Sequence, residues 1–445
     1  RWDRAVERAR LVNRFLAAAS GGPPGPAHLA IAVTRSGSGG LHAARVALES
    51  AESVVERELG RGVLGELALA YASHGQIPPW TPGSGIFAHL LPGSLGAPRL
   101  RGHSGAGALI DALVSMLSEQ GVQLRAGEAV ERIVVGSRGV EGVETRTGSL
   151  EGDVVVSTVD LARTAALMSG GARGAATLRR EARRTHSGVF NIGEFKLDLV
   201  MARPPRFAAA PPGGVLRWLL PQGIGHSLRL VCAGLLPDPL PVMCTVPSAA
   251  DPTLAPEGRA VVWISAFVPA QPRAGSWPDL DQEATRRCLH TLESFAPGSI
   301  DAVELAVATG PAAWEARTGN RAGNPNHLDL TIDQLLFLRP GWRTSRYRTP
   351  VRGLYLSGAG THPGGGVTGL PGRNAIGSAQ HDRRRPIQAA GAPDQLPAHG
   401  CSHRRPPNRC AGRARIRGTK PADRLRNRRT SRDPVAASAP RHRSR

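Results

Sequence analysis

Lysine is almost missing from this chain. Of its 56 Lys and Arg residues, only Lys196 and Lys420 are lysine. So strong a bias to arginine reads as a GC-rich coding sequence, not as phosphate recognition. Cysteine is sparse too. Cys232, Cys244, Cys288, Cys401 and Cys410 are odd in number and form no C-x-x-C pair. That argues against a disulfide framework or a zinc site, assigns no metal ligand, and fits a reducing cytoplasm. No run approaches the ~20 apolar residues of a membrane span. The start is charged (Arg1, Asp3, Arg4, Glu7, Arg8), so no signal peptide is visible. A first residue of Arg instead of Met suggests an incomplete or trimmed chain.

Aromatics are only 4%, whereas Gly (54) and Pro (37) are abundant, so loops are plentiful. At 445 residues the chain is long enough for two domains. The net charge of +21 is unevenly placed. Residues 381–445 hold 18 basic and 4 acidic residues, and the first 380 carry a net of only +7. Beyond about residue 377 every hydrophobic period is lost, and the composition reads as disorder. It also resembles GC-rich DNA translated in the wrong frame. That reading is preferred to a basic arm that binds nucleic acid, so no specific nucleic-acid partner is expected.

Residues 4–19 place Val6, Ala9, Val12, Phe15, Leu16 and Ala19 at helical spacing. The helix is expected to pack on the core; peripheral contact with a membrane is the second reading. Residues 41–59 predict one further helix, stopped at Gly60. Residues 71–98 read as loop. Ser104 is placed as the N-cap of a helix reaching Gln120, with Leu109, Leu113, Met116 and Leu117 inward and Gly121 at C′. Strands follow at Val122–Arg125, Ala129–Val135 and Gly139–Arg146, with turns at Gly127 and Ser137. DVVVS (Asp153–Ser157) reads as a strand buried on both faces. Residues 188–200 and 260–268 predict two more strands, and 281–295 a helix.

Two Gly-rich segments are decoys. Leu29–Ala44 has a strand-like start and a G-x-G-G at Gly37–Gly40. It lacks the second strand, ending in an acid, of a dinucleotide site. Gly102–Gly107 nearly matches a nucleophile elbow, but Ala106 takes the last Gly position and no apolar strand precedes it. The chemistry-bearing segment is VRGLYLSGAGTHPGGGVTGLPGRNA (Val351–Ala375). A short apolar strand runs into a glycine loop and then into a helix-like RNAIGSA. Glycine admits positive φ and brings backbone N–H groups close to a ligand. A loop before a helix N-terminus suits an anionic group, usually a phosphate.

Taken together, Leu100–Val135, Asp153–Asp160, Phe195–Met201, Pro247–Pro269, Asp329–Gly341 and Tyr347–Ala375 resemble the phytoene-desaturase-like branch of the FAD-dependent amine-oxidase-type oxidoreductases. The resemblance implies an α/β fold: an FAD/NAD(P)-binding Rossmann-like domain lacking its first βαβ unit, with an inserted mixed-sheet α+β substrate domain. It divides the chain into a helical region of the substrate or cap domain (1–99) and an FAD-domain segment (100–164). The substrate domain (165–345), an FAD-domain return (346–377) and the Arg-rich tail (378–445) follow. It implies FAD as cofactor. Val130 would meet the adenine side through its backbone, and the strand ending at Ser157 would lie beside the cofactor. Gly358, Ala359, Gly360 and Thr361 would line its ribityl–pyrophosphate side. Gly366, Val367 and Gly369 would lie near the flavin ring.

Relatives open with a strand and a G-x-G-x-x-G loop that holds the FAD pyrophosphate; that opening unit is not found ahead of the helical pattern at residues 4–19. Without that strand, apolar sheet edges are expected to be exposed. His362 is read as neutral and structural, and no catalytic residue is named. Three readings follow. The first is an oxidoreductase passing hydride from an apolar, isoprenoid-like substrate to flavin. The second is a remnant of such an enzyme that no longer holds FAD. The third, the weakest, binds nucleic acid through the basic tail.

Overall fold

Small and aliphatic residues at helical spacing build the N-terminal part of the computed structural model as a helical cluster. The structure describes residues 1–22, 25–94, 105–169, 174–207 and 215–384, all within the unit Arg1–Pro386. Ser104, the Gly102–Gly107 segment except for its last three residues, and the tail from 385 lie outside the described residues. Six helices come first: α1 (Trp2–Ser20), α2 (Pro26–Arg35), α3 (Ser38–Val46), α4 (Ala51–Glu58), α5 (Val63–Ala72) and α6 (Leu90–Ser94). Val12, Phe15 and Ala19 of α1 meet Val46, Val54, Val55 and Ala68 in one core.

The single helix expected over 41–59 is thus broken. Ser50 caps α4, its side chain accepting from the Ser53 N–H. The Glu49 carbonyl is drawn off to accept from the Gly83 and Gly85 amides, at 2.9 Å each. These contacts come from segments more than 30 residues away, so no local period reveals them. The strand-like start at Leu29 is helical, in α2, which removes the decoy dinucleotide site. The expected loop at 71–98 is partly helical, with short 3-10 turns at Ser73–Gly75 and Gly85–His89 before α6.

Helix α7 (Gly107–Glu119) forms where expected, and Gly121 leaves it at φ +72°. Its inward face does not exist among the described residues. Leu109, Leu113 and Met116 are 45%, 43% and 47% exposed, and Leu117 is half-buried. Residues 122–125 form no strand, and the Val122 amide instead donates to the Leu117 carbonyl at 3.0 Å. The antiparallel meander consists instead of β1 (Val130–Gly136), β2 (Gly139–Thr145) and β3 (Gly148–Glu151). β4 (Val155–Ser157) is shorter than predicted. Val155 and Val156 are only half-buried, so the strand is not covered on both faces. Next come α8 (Leu161–Leu167) and α9 (Ala175–Ala182).

The larger sheet holds β5 (Ile192–Met201), β6 (Leu216–Leu219), β7 (Val242–Thr245), β8 (Ala260–Pro269) and β9 (Val303–Thr309), with α10 (Ile224–Cys232) and α11 (Trp277–Phe295) between strands. Its order is β6-β7-β8-β5-β9. Every pairing is antiparallel, so the sheet is not mixed as expected. Phe195, Leu197, Leu199 and Met201 alternate along β5 and pack with Val262, Ile264, Cys288 and Leu292. This period of two buries one face under α11. Ile192 and Phe267 pack with Ile224, Leu228 and Val231 of α10. Helix α12 (Pro311–Thr318) and several 3-10 turns lead to β10 (Leu354–Leu356) and α13 (Leu370–Arg384). Helix α13 continues past residue 377. Asp382 accepts two bonds from Arg348, at 2.8 Å each, and one from the Tyr355 hydroxyl at 2.9 Å. The tail boundary therefore falls later than the sequence suggests. Among the described residues, no helix is long and apolar enough to cross a membrane.

Candidate functional site

Two short apolar strands run side by side and end together. β10 pairs with β4 in parallel, Leu354 with Val155 and Leu356 with Ser157. Parallel pairing aims both C-terminal ends the same way, and ligands of α/β sheets bind beyond such ends. The Ser357 amide donates to the Ser157 carbonyl at 2.8 Å, which carries the pairing into the loop. The Ser157 hydroxyl is buried against Thr164 at 2.7 Å.

The loop needs its first glycine. Gly358 has φ +83°, and a Cβ there would lie 2.5 Å from the Thr158 carbonyl oxygen. Thr361 is buried, and both its amide and its hydroxyl donate to the Gly358 carbonyl, at 3.0 and 2.9 Å. Gly360 packs against His327, where an added Cβ would lie 3.4 Å from that residue's Cβ. Beyond Gly364 the chain turns outward. Gly366 and Gly369 have φ of +103° and +68°. Val367 has φ +57° and is 89% exposed. A β-branched residue at positive φ is strained by roughly 1–3 kcal/mol. Among the described residues, the amides of 365–369, which stand at the N-terminal end of α13, find no hydrogen-bond partner.

A buried cation holds the loop from behind. Arg339 is fully buried. Its guanidinium donates to the carbonyls of Ala359 (2.9 and 3.2 Å), Asn326 (2.6 Å), Gln334 (3.1 Å), Leu328 and Asp329 (both 3.4 Å). Burial pushes its pKa down to about 10, opposed by Asp329, so it stays charged at neutral pH. The buried Asp329 carboxylate accepts from the Gly188 and Val189 amides at 2.8 and 3.1 Å, and from Asn324 at 3.2 Å. His327 has its pKa lowered by burial against the pull of Asp160, and its Nδ1 is buried without a partner.

The loop is also tied to the end of α1. His362 Nε2–H donates to the Ala19 carbonyl at 3.1 Å, and Asn374 Nδ2 reaches the Ser20 carbonyl at 3.4 Å. Burial lowers the His362 pKa to about 4, so the ring is neutral and structural, as the sequence suggested. Asn374 donates to the Tyr347 hydroxyl at 3.0 Å, which donates to the His362 carbonyl at 2.9 Å.

Of the residues singled out in the sequence, Ser157, Gly358, Ala359, Gly360 and Thr361 come together at the end of β4 and β10. Gly366, Val367 and Gly369 form the exposed outer turn. Val130 lies in the meander, pairing with Thr145. Arg339, His327 and Asp329 were not singled out. The visible signal for the first was a lone Arg directly after the apolar run LLFL.

This loop, its strand pair and its helix belong to a flavoprotein class. Residues 47–372 match the family described as Flavin containing amine oxidoreductase, and the chain belongs to that family, whose cofactor is FAD. It is similar to Pyridine nucleotide-disulfide oxidoreductase domain-containing protein 2 of Rattus norvegicus, 33% identical over 67% of this chain and 54% of the relative. It is also similar to Phytoene desaturase (lycopene-forming) of Pseudescherichia vulneris, 26% identical over 60% of this chain and 52% of that protein. The chain thus spans about half the length of the curated relatives it matches. Among solved structures, Cyclohexylamine Oxidase from Brevibacterium oxydans IH-35A aligns with a TM-score of 0.47 at 12% identity, over 86% of this chain and 76% of that one.

Proposed function

We propose that the chain is an FAD-dependent oxidoreductase that takes a hydride equivalent from an apolar substrate. The observation that carries this reading is the strand–glycine loop–helix, with free amides at 365–369 and no room for a side chain at Gly358. Such a cradle fits an anionic, phosphate-bearing group. Ser157, Gly358, Ala359, Gly360 and Thr361 would hold the ribityl–pyrophosphate side, and Val130 the adenine side. Gly366, Val367 and Gly369 would stand near the ring, where the N-terminal end of α13 favours negative charge. When bound, the flavin supplies the hydride acceptor, and the protein supplies position, exclusion of water and a tuned field. Arg339 keeps the Ala359 carbonyl turned toward the interior.

The apolar character of the substrate rests on the resemblance; the aromatic side chains on the larger sheet are packed against one another in its core. Trp218 lies 6.0 Å from Tyr71, 5.4 Å from His74 and 6.1 Å from Phe267, centroid to centroid. Desaturation of an isoprenoid chain, the activity in the name of one relative, is the finer form of this proposal. A second reading is favoured by the face of α7 that the described residues leave uncovered. In that reading the chain keeps the fold of its family but does not hold FAD.

Titration of the purified chain with FAD, followed by flavin fluorescence, decides between them. The first reading expects saturable binding, weakened at least tenfold by Gly358→Ala while the far-UV circular dichroism is unchanged. No saturable binding leaves the second reading; binding that G358A leaves untouched would show that FAD is held without this loop and would overturn the assignment of Gly358.

A further inference from the structure

We propose that His42, Glu58 and His89 form a site for one divalent transition-metal ion of the zinc class. The site would tie α3, α4 and the Gly85–His89 turn together, away from the glycine loop. One ligand atom from each of the three residues can be chosen so that all lie within 4.8 Å of one another. His42 Nε2 and Glu58 Oε1 are 3.8 Å apart. Tetrahedral zinc with bonds of about 2.0–2.1 Å sets its ligands about 3.3 Å apart, so small rotations close the set.

The imidazoles are the telling part. His89 is 3% exposed, and the Nε2 atoms of both His89 and His42 are buried with no hydrogen-bond partner among the described residues. Buried polar atoms are rarely left so. Two imidazoles and a carboxylate suit zinc and its neighbours rather than magnesium or calcium, which prefer all-oxygen sets. The fourth position would open on a cleft of about 360 Å³ lined by five arginines, Arg1, Arg4, Arg8, Arg45 and Arg57, as well as His42 and Glu58.

Those arginines oppose a cation, and that supplies a test of sign. Arg8 donates to Glu58 Oε1 at 2.8 Å, so it both occupies the carboxylate and adds positive charge. Zinc affinity of the full chain, stripped with a chelator, can be read by competition with a chromophoric chelator. The expected results are one zinc bound, no competition from magnesium, at least tenfold weaker binding in His89→Gln, and several-fold tighter binding in Arg8→Gln. His42→Gln, at a half-exposed ring, serves if H89Q does not fold, and must also weaken binding tenfold. Zinc affinity equal in wild type and both His variants would place the metal elsewhere and overturn the proposal. Weaker zinc binding in R8Q, or no zinc binding by the wild type, would also overturn it.

Discussion

Two residues show what the loop demands. Gly358 is explained by sterics alone: the left-handed conformation and the nearby Thr158 oxygen both reject a side chain. Its role was legible because glycine is the residue such a position requires. His362 was legible only in its neutrality. Its partner, the Ala19 carbonyl, lies 343 residues away and leaves no trace in local sequence. The depressed pKa has a consequence for stability. Between an unfolded value near 6.5 and a folded value of about 4, the unfolded chain holds the extra proton. This contribution is therefore complete above pH 6.5 and is lost as pH falls toward 4. The limiting slope for one such proton is about 1.4 kcal/mol per pH unit. Urea unfolding at pH 4.5, 5.5 and 6.5 should show stability falling with acid in the wild type. The fall should be shallower in His362→Asn by up to one proton. Parallel curves would mean that His362 is not buried as a neutral ring.

At the scale of elements, helices and long strands were legible but their neighbours were not. β5 and β8 were readable because alternation and β-branched runs are local properties. The break between α3 and α4 was not, because Gly83 and Gly85 supply the competing amides from a distant turn. Helix α7 shows the reverse case. Its Leu109, Leu113 and Met116 have core-like spacing, yet nothing described covers them. Periodicity shows that a face is apolar and says nothing of what lies against it. If α7 is as uncovered as this, Leu113→Gln and Met116→Gln together should change unfolding free energy by less than about 1 kcal/mol. Leu197→Ala in the closed core should cost about 2–5 kcal/mol. The α7 pair should also reduce self-association in sedimentation, because exposed apolar patches are sticky. A cost near that of L197A would show that the α7 face is buried in solution.

At the scale of the molecule, the parts that hold the loop come from both ends of the described chain. The end of α1 receives His362 and Asn374, and α13 is fastened by Asp382 to Arg348 and Tyr355. The motif at 351–375 was legible as chemistry, but its support was not. The sequence placed the end of order near residue 377 because Arg and Asp replace the apolar period there. That same polar stretch is what secures the helix. Chains ended at Pro386 and at Gly377 should therefore differ. The shorter loses the Asp382 pair, worth up to about 1 kcal/mol for a half-exposed bridge. It also loses the Tyr355 bond, worth about another 1–2 kcal/mol, and the buried Ala379. We expect the 377 form to unfold at lower urea, by about 2–3 kcal/mol in total, and Asp382→Asn in the 386 form to reproduce only part of that loss. The hydroxyl of Tyr355 should become easier to ionise in D382N, since burial and the carboxylate together push its pKa up to about 12. Equal stability of the two chains would mean that α13 ends its structural role at RNAIGSA. Strands, loop and α1 would then have to hold the cradle without it.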